Sequence, residues 1–356
     1  MVDVQLTFVC QAYDEADPLM ASTVAWVQRF ADHPSVSHLT VLALRTSDTA
    51  RPSESTEILE IGRANRLATL VAFYRAALRL YVGGVRTFFV YQGGPYPILL
   101  APLRIIGVRV YQWKAHPAVS RAMRVAAWCD DLLFTSTPQA LPLETTKIRV
   151  VGNAVDTTRF RPRCTTLDLG LVVAARVGPV KHIERAIALL GRLRGEGGVD
   201  VGLTVVGPIQ DVAYHQELVD LADRLRVAKH VAFVGPVEQA RLPDYFNRAR
   251  VVVNHCAGAL NRSVLEAMAC GAPIFSVNSG VCEALEGSGL KVRLWADRED
   301  LDGEFMRVRA LLSLSRKERA ELGERLRRVV LSRHDVCSIA DRIFKEINDD
   351  CSLTRT

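Results

Sequence analysis

Between Glu60 and Asp130 the sequence has no aspartate or glutamate. Ten cations stand in that gap: Arg63, Arg66, Arg75, Arg79, Arg86, Arg104, Arg109, Lys114, Arg121 and Arg124. Lysine is scarce throughout, 7 residues against 38 arginines, as a coding bias would give. The eight cysteines (Cys10, Cys129, Cys164, Cys256, Cys270, Cys282, Cys337, Cys351) include no C-x-x-C pair, and no histidine stands beside them at metal-ligand spacing. That disfavours a zinc or disulfide framework and predicts buried thiols in a reducing compartment. No run approaches the roughly 20 apolar residues that span a bilayer. The start, MVDVQLTFVCQAYDEADP, has early acids and a short apolar run, so it reads as neither signal nor transit peptide. The expectation is a cytoplasmic protein, touching a membrane surface if the basic stretch meets lipid. No G-x-G-x-x-G follows a strand pattern, which argues against a dinucleotide dehydrogenase. No basic motif interleaved with aromatics is present, so nucleic acid is not an expected partner.

What is there is a globular composition: 356 residues, 49% hydrophobic and 24% charged, enough for two domains. The net charge of +6 divides into 17 − 13 = +4 over residues 1–162 and 28 − 26 = +2 over the rest. Short β-branched runs alternate with longer helical patterns, the signature of βαβ units and parallel sheets. In the first half the strands are expected at 6–10, 38–44, 56–61, 86–92, 108–113, 132–136 and 148–152. A helix over 65–81 presents Leu67, Leu70, Val71, Phe73, Tyr74, Ala77 and Leu78 as its apolar face. GNAVDTTRFRPR (152–163) interrupts the pattern. A second series follows, with strands at 169–175, 201–207, 230–235, 250–254, 273–277 and 290–295 and helices at 183–194, 213–225, 239–248 and 263–270. Two amphipathic helices, 316–332 and 335–347, precede a polar tail at 349–356 that is expected to be disordered. The fold class is α/β: two doubly wound Rossmann-like domains facing across a cleft, where α/β proteins bind ligands.

The window NHCAGALNRSVLEAMACGAP (254–273) ends a strand, passes Gly258 and Asn261, and starts a helix near Ser263. A helix start offers unpaired N–H groups and a positive dipole end, a place for phosphate. Glu266, one turn in, would repel phosphate but accept hydrogen bonds from two ribose hydroxyls. The alternative is an ordinary glutamate complementing the dipole. In AARVGPVKHIERAI, Arg176 and Lys181 fall on a loop at the carboxyl edge of the same sheet, where two cations suit a diphosphate leaving group. The alternative is a pair of solvated surface cations.

These residues resemble the retaining group 1 glycosyltransferases of GT-B fold. Their second domain reads G-R-x-x-x-x-K-G, then V-G-x-G, F-x-G, E-G-x-x-x-x-x-x-E-A-M-A-x-G-x-P and G-x-x-E. The counterparts are Arg176 and Lys181; TVVGP (204–208); FVGPV (233–237); Glu266 to Gly271 with Pro273; and Gly280 with Glu283. NAVDTTRFRP (153–162) is similar to the family's interdomain linker.

The resemblance implies roles. Arg176 and Lys181 would hold the diphosphate as it leaves. Glu266 would hold the ribose, and the amides near Ser263 and Val264, with Asn261 and Arg262 beside them, would meet the phosphates. Pro208 and the loop at Pro236 and Val237 would frame the base, Glu283 would lie on the donor side, and His116 of QWKAHP would face the donor sugar. The alternative for His116 is a surface histidine capping a turn. The implied domains are 1–155, on the acceptor side and joined by a returning helix at about 335–348, and 156–334, which takes the nucleotide sugar.

The implied activity is retaining transfer of a sugar from a nucleoside diphosphate donor to a glycan or lipid-linked acceptor. It requires no protein nucleophile, cofactor or essential metal. Three positions depart from the family. Gly258 replaces the first glutamate of the spaced pair, His182 replaces the glycine after the lysine, and QAYDEADPLMAS (11–22) replaces a glycine-rich loop. Gly258 motivates the alternative of a non-catalytic nucleotide- or glycan-binding protein. Helix 65–81 and the run YPILLAPLRIIG (96–107), with their arginines, suit an anionic membrane and a lipid-linked acceptor. Simple core packing accounts for the same apolar residues.

Overall fold

The computed structural model describes residues 4–17, 20–47, 56–256 and 260–353. The chain divides into two units, residues 1–154 with 336–356, and residues 155–335.

The first unit contains β1 (Val4–Tyr13), α1 (Ser22–Ala31), β2 (Val36–Thr46), β3 (Glu57–Glu60), α2 (Arg66–Val82), β4 (Thr87–Tyr91) and α3 (Tyr96–Arg104). It continues with β5 (Arg109–Trp113), α4 (Arg121–Cys129), β6 (Leu132–Thr135) and β7 (Ile148–Val150). The seven strands lie in the order β3-β2-β1-β4-β5-β6-β7, and every pair is parallel. Helices cover both faces of such a sheet, so its central strands are apolar throughout; all five residues of β4 are buried. One face packs α1 through Trp26, Val27 and Phe30. The other packs α2 and α3 through Phe73, Ala77, Leu80, Leu100 and Leu103. The apolar face read from the sequence of α2 is therefore divided. Phe73 and Ala77 point to the sheet, while Leu67, Val71 and Leu78 point outward and are exposed.

The second unit contains β8 (Leu169–Ala174), α5 (Ile183–Gly195), β9 (Leu203–Val206), α6 (Val212–Arg224), β10 (Val231–Gly235), α7 (Leu242–Arg248), β11 (Ala249–Asn254) and α8 (Arg262–Ala269). It ends with β12 (Ile274–Ser276), α9 (Ser279–Ala284), α10 (Lys291–Leu294), α11 (Leu301–Leu312) and α12 (Arg316–Arg333). Its strand order is β10-β9-β8-β11-β12, again all parallel. Both units are doubly wound and Rossmann-like.

The chain then returns to the first unit as α13 (Val336–Leu353). Ile339, Ile343, Phe344 and Ile347 join the α1 side of that unit's core. The expected tail at 349–356 is corrected over its first part. The helix continues through Leu353, and Tyr111 Oη donates to Asp350 at 2.8 Å. Residues 354–356 lie outside the described residues.

Two further expectations are revised. Segment 290–295, which alternates like a strand, forms α10. Leu290 and Leu294 are buried four residues apart while Val292 is exposed, a helical spacing rather than a period of two. The cysteines are not uniformly buried: all eight are free thiols, Cys10 and Cys270 are buried, and Cys164 is exposed.

Candidate functional site

In the second unit β8 and β11 are neighbours, and the chain leaves them in opposite directions, to β9 and to β12. Their carboxyl ends therefore open a crevice, the topological switch point where doubly wound sheets take ligands.

The loop from β8 supplies Arg176, half-buried, two residues beyond the strand. That loop is fastened to the one after β9. The Val177 amide donates to the Pro208 oxygen at 2.9 Å, and the Gln210 amide returns to the Val177 oxygen at 3.0 Å. Gly207 makes this approach possible, because a Cβ there would lie 2.2 Å from the Ala175 oxygen. Pro208 thus frames the crevice through its backbone. Val237, after β10, is partly buried against the core of the unit.

Lys181 closes a 3₁₀ turn, Pro179–Lys181, before α5. Its Nζ lies 3.6 Å from the Cys256 Sγ, just beyond the end of β11. One contact therefore spans the two strands of the switch point. The next residue, His182, has φ 50° and ψ 47°. This left-handed conformation is one that glycine adopts without strain, which gives the family's glycine a physical reason. His182 adopts it and sets Nδ1 3.0 Å from Glu184.

At the start of α8, Asn261 caps the helix. Its Oδ1 accepts from the Ser263 amide at 3.1 Å and from the Ser263 hydroxyl at 2.8 Å. The Ser263 amide, read from sequence as a phosphate donor, is thus engaged within the cap. Val264 turns its side chain into the core, while Arg262 is half-buried. Glu266 is only 4% exposed. Burial raises its pKa above the ordinary glutamate range, and Arg262, a hydrogen bond from Gln239 and Arg159 oppose that rise. Gly258 lies outside the described residues.

The opposite wall is α9, which carries Glu283 half-buried. Its cap, Asn278, donates from Nδ2 to the Cys256 oxygen at 2.9 Å. Gly280 lets α9 pass the loop before α8, since a Cβ there would lie 2.6 Å from the Leu260 nitrogen.

Behind the crevice is a buried ionic cluster that sequence reading did not single out. Glu304 of α11 meets His255 Nε2 at 2.5 Å and Arg185 of α5 at 2.7 Å. Burial would raise the Glu304 carboxyl, but the His255 hydrogen bond and charge and Arg185 outweigh it, and its pKa is lowered. The only sequence signal was position, with Arg185 one helical turn past Lys181 and His255 directly after a strand.

His116 belongs to the first unit, in the exposed segment after β5. Its Nδ1 accepts from the Ala118 amide at 3.1 Å, so the ring caps its own turn. The other described candidates share the carboxyl edge of the second sheet or the first turns of the helices beside it. Among the described residues, no group of three or more His, Cys, Asp or Glu side chains is arranged to hold a metal ion.

Residues 161–329 match the sequence family of glycosyl transferases group 1. That stretch is just under half of the chain and lies within the second unit. A D-inositol 3-phosphate glycosyltransferase of Streptomyces avermitilis is 31% identical over 184 residues, 44% of this chain and 39% of the relative. A D-inositol 3-phosphate glycosyltransferase 2 of Catenulispora acidiphila is 31% identical over 150 residues, 38% of this chain and 35% of the relative. The match thus spans well under half of either curated relative. Among solved structures, Anabaena HepE in complex with UDP superposes with a TM-score of 0.75 at 14% identity, covering 97% of this chain and 100% of that one. Sucrose-phosphate synthase from Thermosynechococcus elongatus gives 0.73 at 15% identity, covering 98% and 100%. At these identities the likeness is one of fold, the GT-B architecture of two Rossmann-like units. No described helix is long and apolar enough to cross a membrane.

Proposed function

We propose that the chain is a retaining glycosyltransferase that moves a sugar from a nucleoside diphosphate donor to a glycan or lipid-linked acceptor. The observation that carries the reading is the contact between Lys181 and Cys256 across the switch point, with Arg176 on the same loop. It supports reading the lysine ammonium as a diphosphate contact at the mouth of the second sheet. Arg176 and Lys181 then neutralise the charge that develops as the diphosphate departs. The acceptor hydroxyl oxygen bonds to the anomeric carbon on the face the diphosphate leaves. The bond from that carbon to the phosphate oxygen breaks, and the hydroxyl proton passes to the departing phosphate. Glu266 accepts from the ribose hydroxyls, which requires its buried carboxyl to be ionised when nucleotide is bound. The resemblance assigns His116 to the donor sugar, and no resident metal is needed. The HepE complex with UDP and the relatives named as inositol phosphate glycosyltransferases support a nucleotide-sugar donor.

The test is a donor screen with UDP, GDP and ADP sugars, reading both nucleotide binding and turnover. Arg176→Ala and Lys181→Ala should each lower turnover by about a hundredfold or more, and Glu266→Ala should weaken nucleotide binding. Absence of both binding and turnover with every donor overturns the proposal. Binding without turnover would favour the competing reading, a nucleotide- or glycan-binding partner protein, which rests on Gly258 standing where the family has a glutamate.

A further inference from the structure

Helix α2 is apolar on two sides. Phe73, Ala77 and Leu80 face the core. Leu67, Val71, Leu78 and Val82 fall on the outer side within about 60° of arc for a helix of 3.6 residues per turn. They are 71%, 50%, 47% and 84% exposed. A helix whose outer side meets only water carries polar residues there. The stripe does not stop with the helix. Tyr81 Oη donates to the Ile106 oxygen at 3.1 Å, which brings the turn after α3 alongside, and that turn presents Ile105 and Ile106 at 88% and 46% exposure.

The charge beside this stripe is mostly positive, and the acids close to it are Glu57 and Glu60 of β3. Arg63, Arg75, Arg79 and Arg86 are exposed near it, Arg66 is exposed about 100° round the helix from Leu67, and α2 contains no acid. Arg79 pairs with Glu57, and Arg86 lies 3.9 Å over the Tyr81 ring. Arg63, Arg66 and Arg75 make no ion pair among the described residues. A groove of about 580 Å³ runs between Arg63 and Arg75 along Leu67 and Val71, with cations and apolar side chains on the same wall.

We propose that the outer stripe of α2 and the Ile105–Gly107 turn dock on an anionic lipid bilayer, with the helix lying in the interface. The apolar stripe enters the boundary between headgroups and acyl chains, and the arginines reach back to the lipid phosphates. A second copy of the chain is a poorer occupant, because pairing the stripe with itself sets one row of arginines against another. Nucleic acid would meet the arginines but leave Leu67, Val71, Ile105 and Ile106 unused. The inference does not rest on the donor chemistry, and its test needs no turnover.

The experiment is flotation of the full chain with vesicles of phosphatidylcholine, with and without phosphatidylglycerol, over a salt series. The chain should float with the anionic vesicles only, and salt should weaken the association. Replacing Leu67, Val71, Leu78 and Val82 with serine should lower partitioning at least tenfold with an unchanged circular dichroism spectrum. If that variant misfolds, Ile105→Ser with Ile106→Ser, on an exposed turn, should show a loss of the same direction. Arg63→Ala and Arg75→Ala should each cost roughly fivefold in partitioning and flatten the salt dependence. Failure to float with anionic vesicles overturns the proposal. So does flotation that the stripe variants leave unchanged, or a concentration-dependent dimer that the stripe variants abolish while flotation is absent.

Discussion

Asp130 sits at the end of α4 with no exposed surface, and neither carboxylate oxygen has a hydrogen-bond partner among the described residues. Lys147 approaches, but its Nζ donates to the backbone oxygen of Asp130, at 2.7 Å. Burial pushes the carboxyl well above its ordinary range, with Lys147 only partly opposing. A carboxyl whose folded pKa is raised favours the native state in acid and costs stability as pH climbs past its unfolded value, about 3.9. Asp130→Asn copies the protonated form. It should match the parent near pH 3 and exceed it increasingly above that, by up to about 1.4 kcal/mol per pH unit until the folded pKa is reached. Urea unfolding across pH checks this, and a constant difference would contradict it. Asp130 illustrates which residue roles the sequence reveals. Arg176, Lys181 and Glu266 stood out because loop and helix boundaries place them at a sheet edge. The isolation of Asp130, the Cys256 thiol beside Lys181 and the self-capping of His116 depend on neighbours distant in sequence or on loop geometry.

At the scale of elements, Glu304 ties α11 to α5, which follows the turn bearing Lys181, and to His255, next to Cys256 just past β11. Its lowered pKa means the cluster stabilises the fold above the ordinary glutamate range and ceases to do so as pH falls through the folded value. Glu304→Gln leaves Arg185 and His255 buried without their carboxylate. It should cost about 3–5 kcal/mol in the second unit, read by denaturant unfolding at neutral pH, and the difference should shrink on acidification. The parallel strands were legible because strands covered on both faces carry continuous apolar runs, as Phe88 to Val90 in β4 and Val251 to Val253 in β11 do. Segment 290–295 was misread because in six residues a period of two and a spacing of four both place Leu290 and Leu294 alike. Only the exposure of Val292 distinguishes them. Helix α2 was found, but its apolar residues were read as one face with core and membrane both open, since periodicity identifies apolar positions without saying what each side faces.

At the scale of the whole molecule, the chain leaves the first unit after Ala154 and rejoins it at Val336. Val155 pairs with Asp335 in a parallel bridge, its amide donating to the His334 oxygen at 2.8 Å, so the two crossings are fastened side by side. The returning helix is part of the first unit's core. Phe344 is buried with its ring 4.9 Å from Phe30 and 4.1 Å from His33. Phe344→Ala should therefore destabilise the first unit by about 3–5 kcal/mol and leave the second unchanged. Limited proteolysis along a denaturant series would show this as early cleavage confined to residues 1–154 and 336–356. The same return sets an order of events during synthesis. A ribosome finishes residues 155–335 before it has made Ile339, Ile343 and Ile347, which complete the first unit's core. The half of the protein translated first is thus the half completed last. Its strands must wait, with one apolar side open, while the second unit folds downstream.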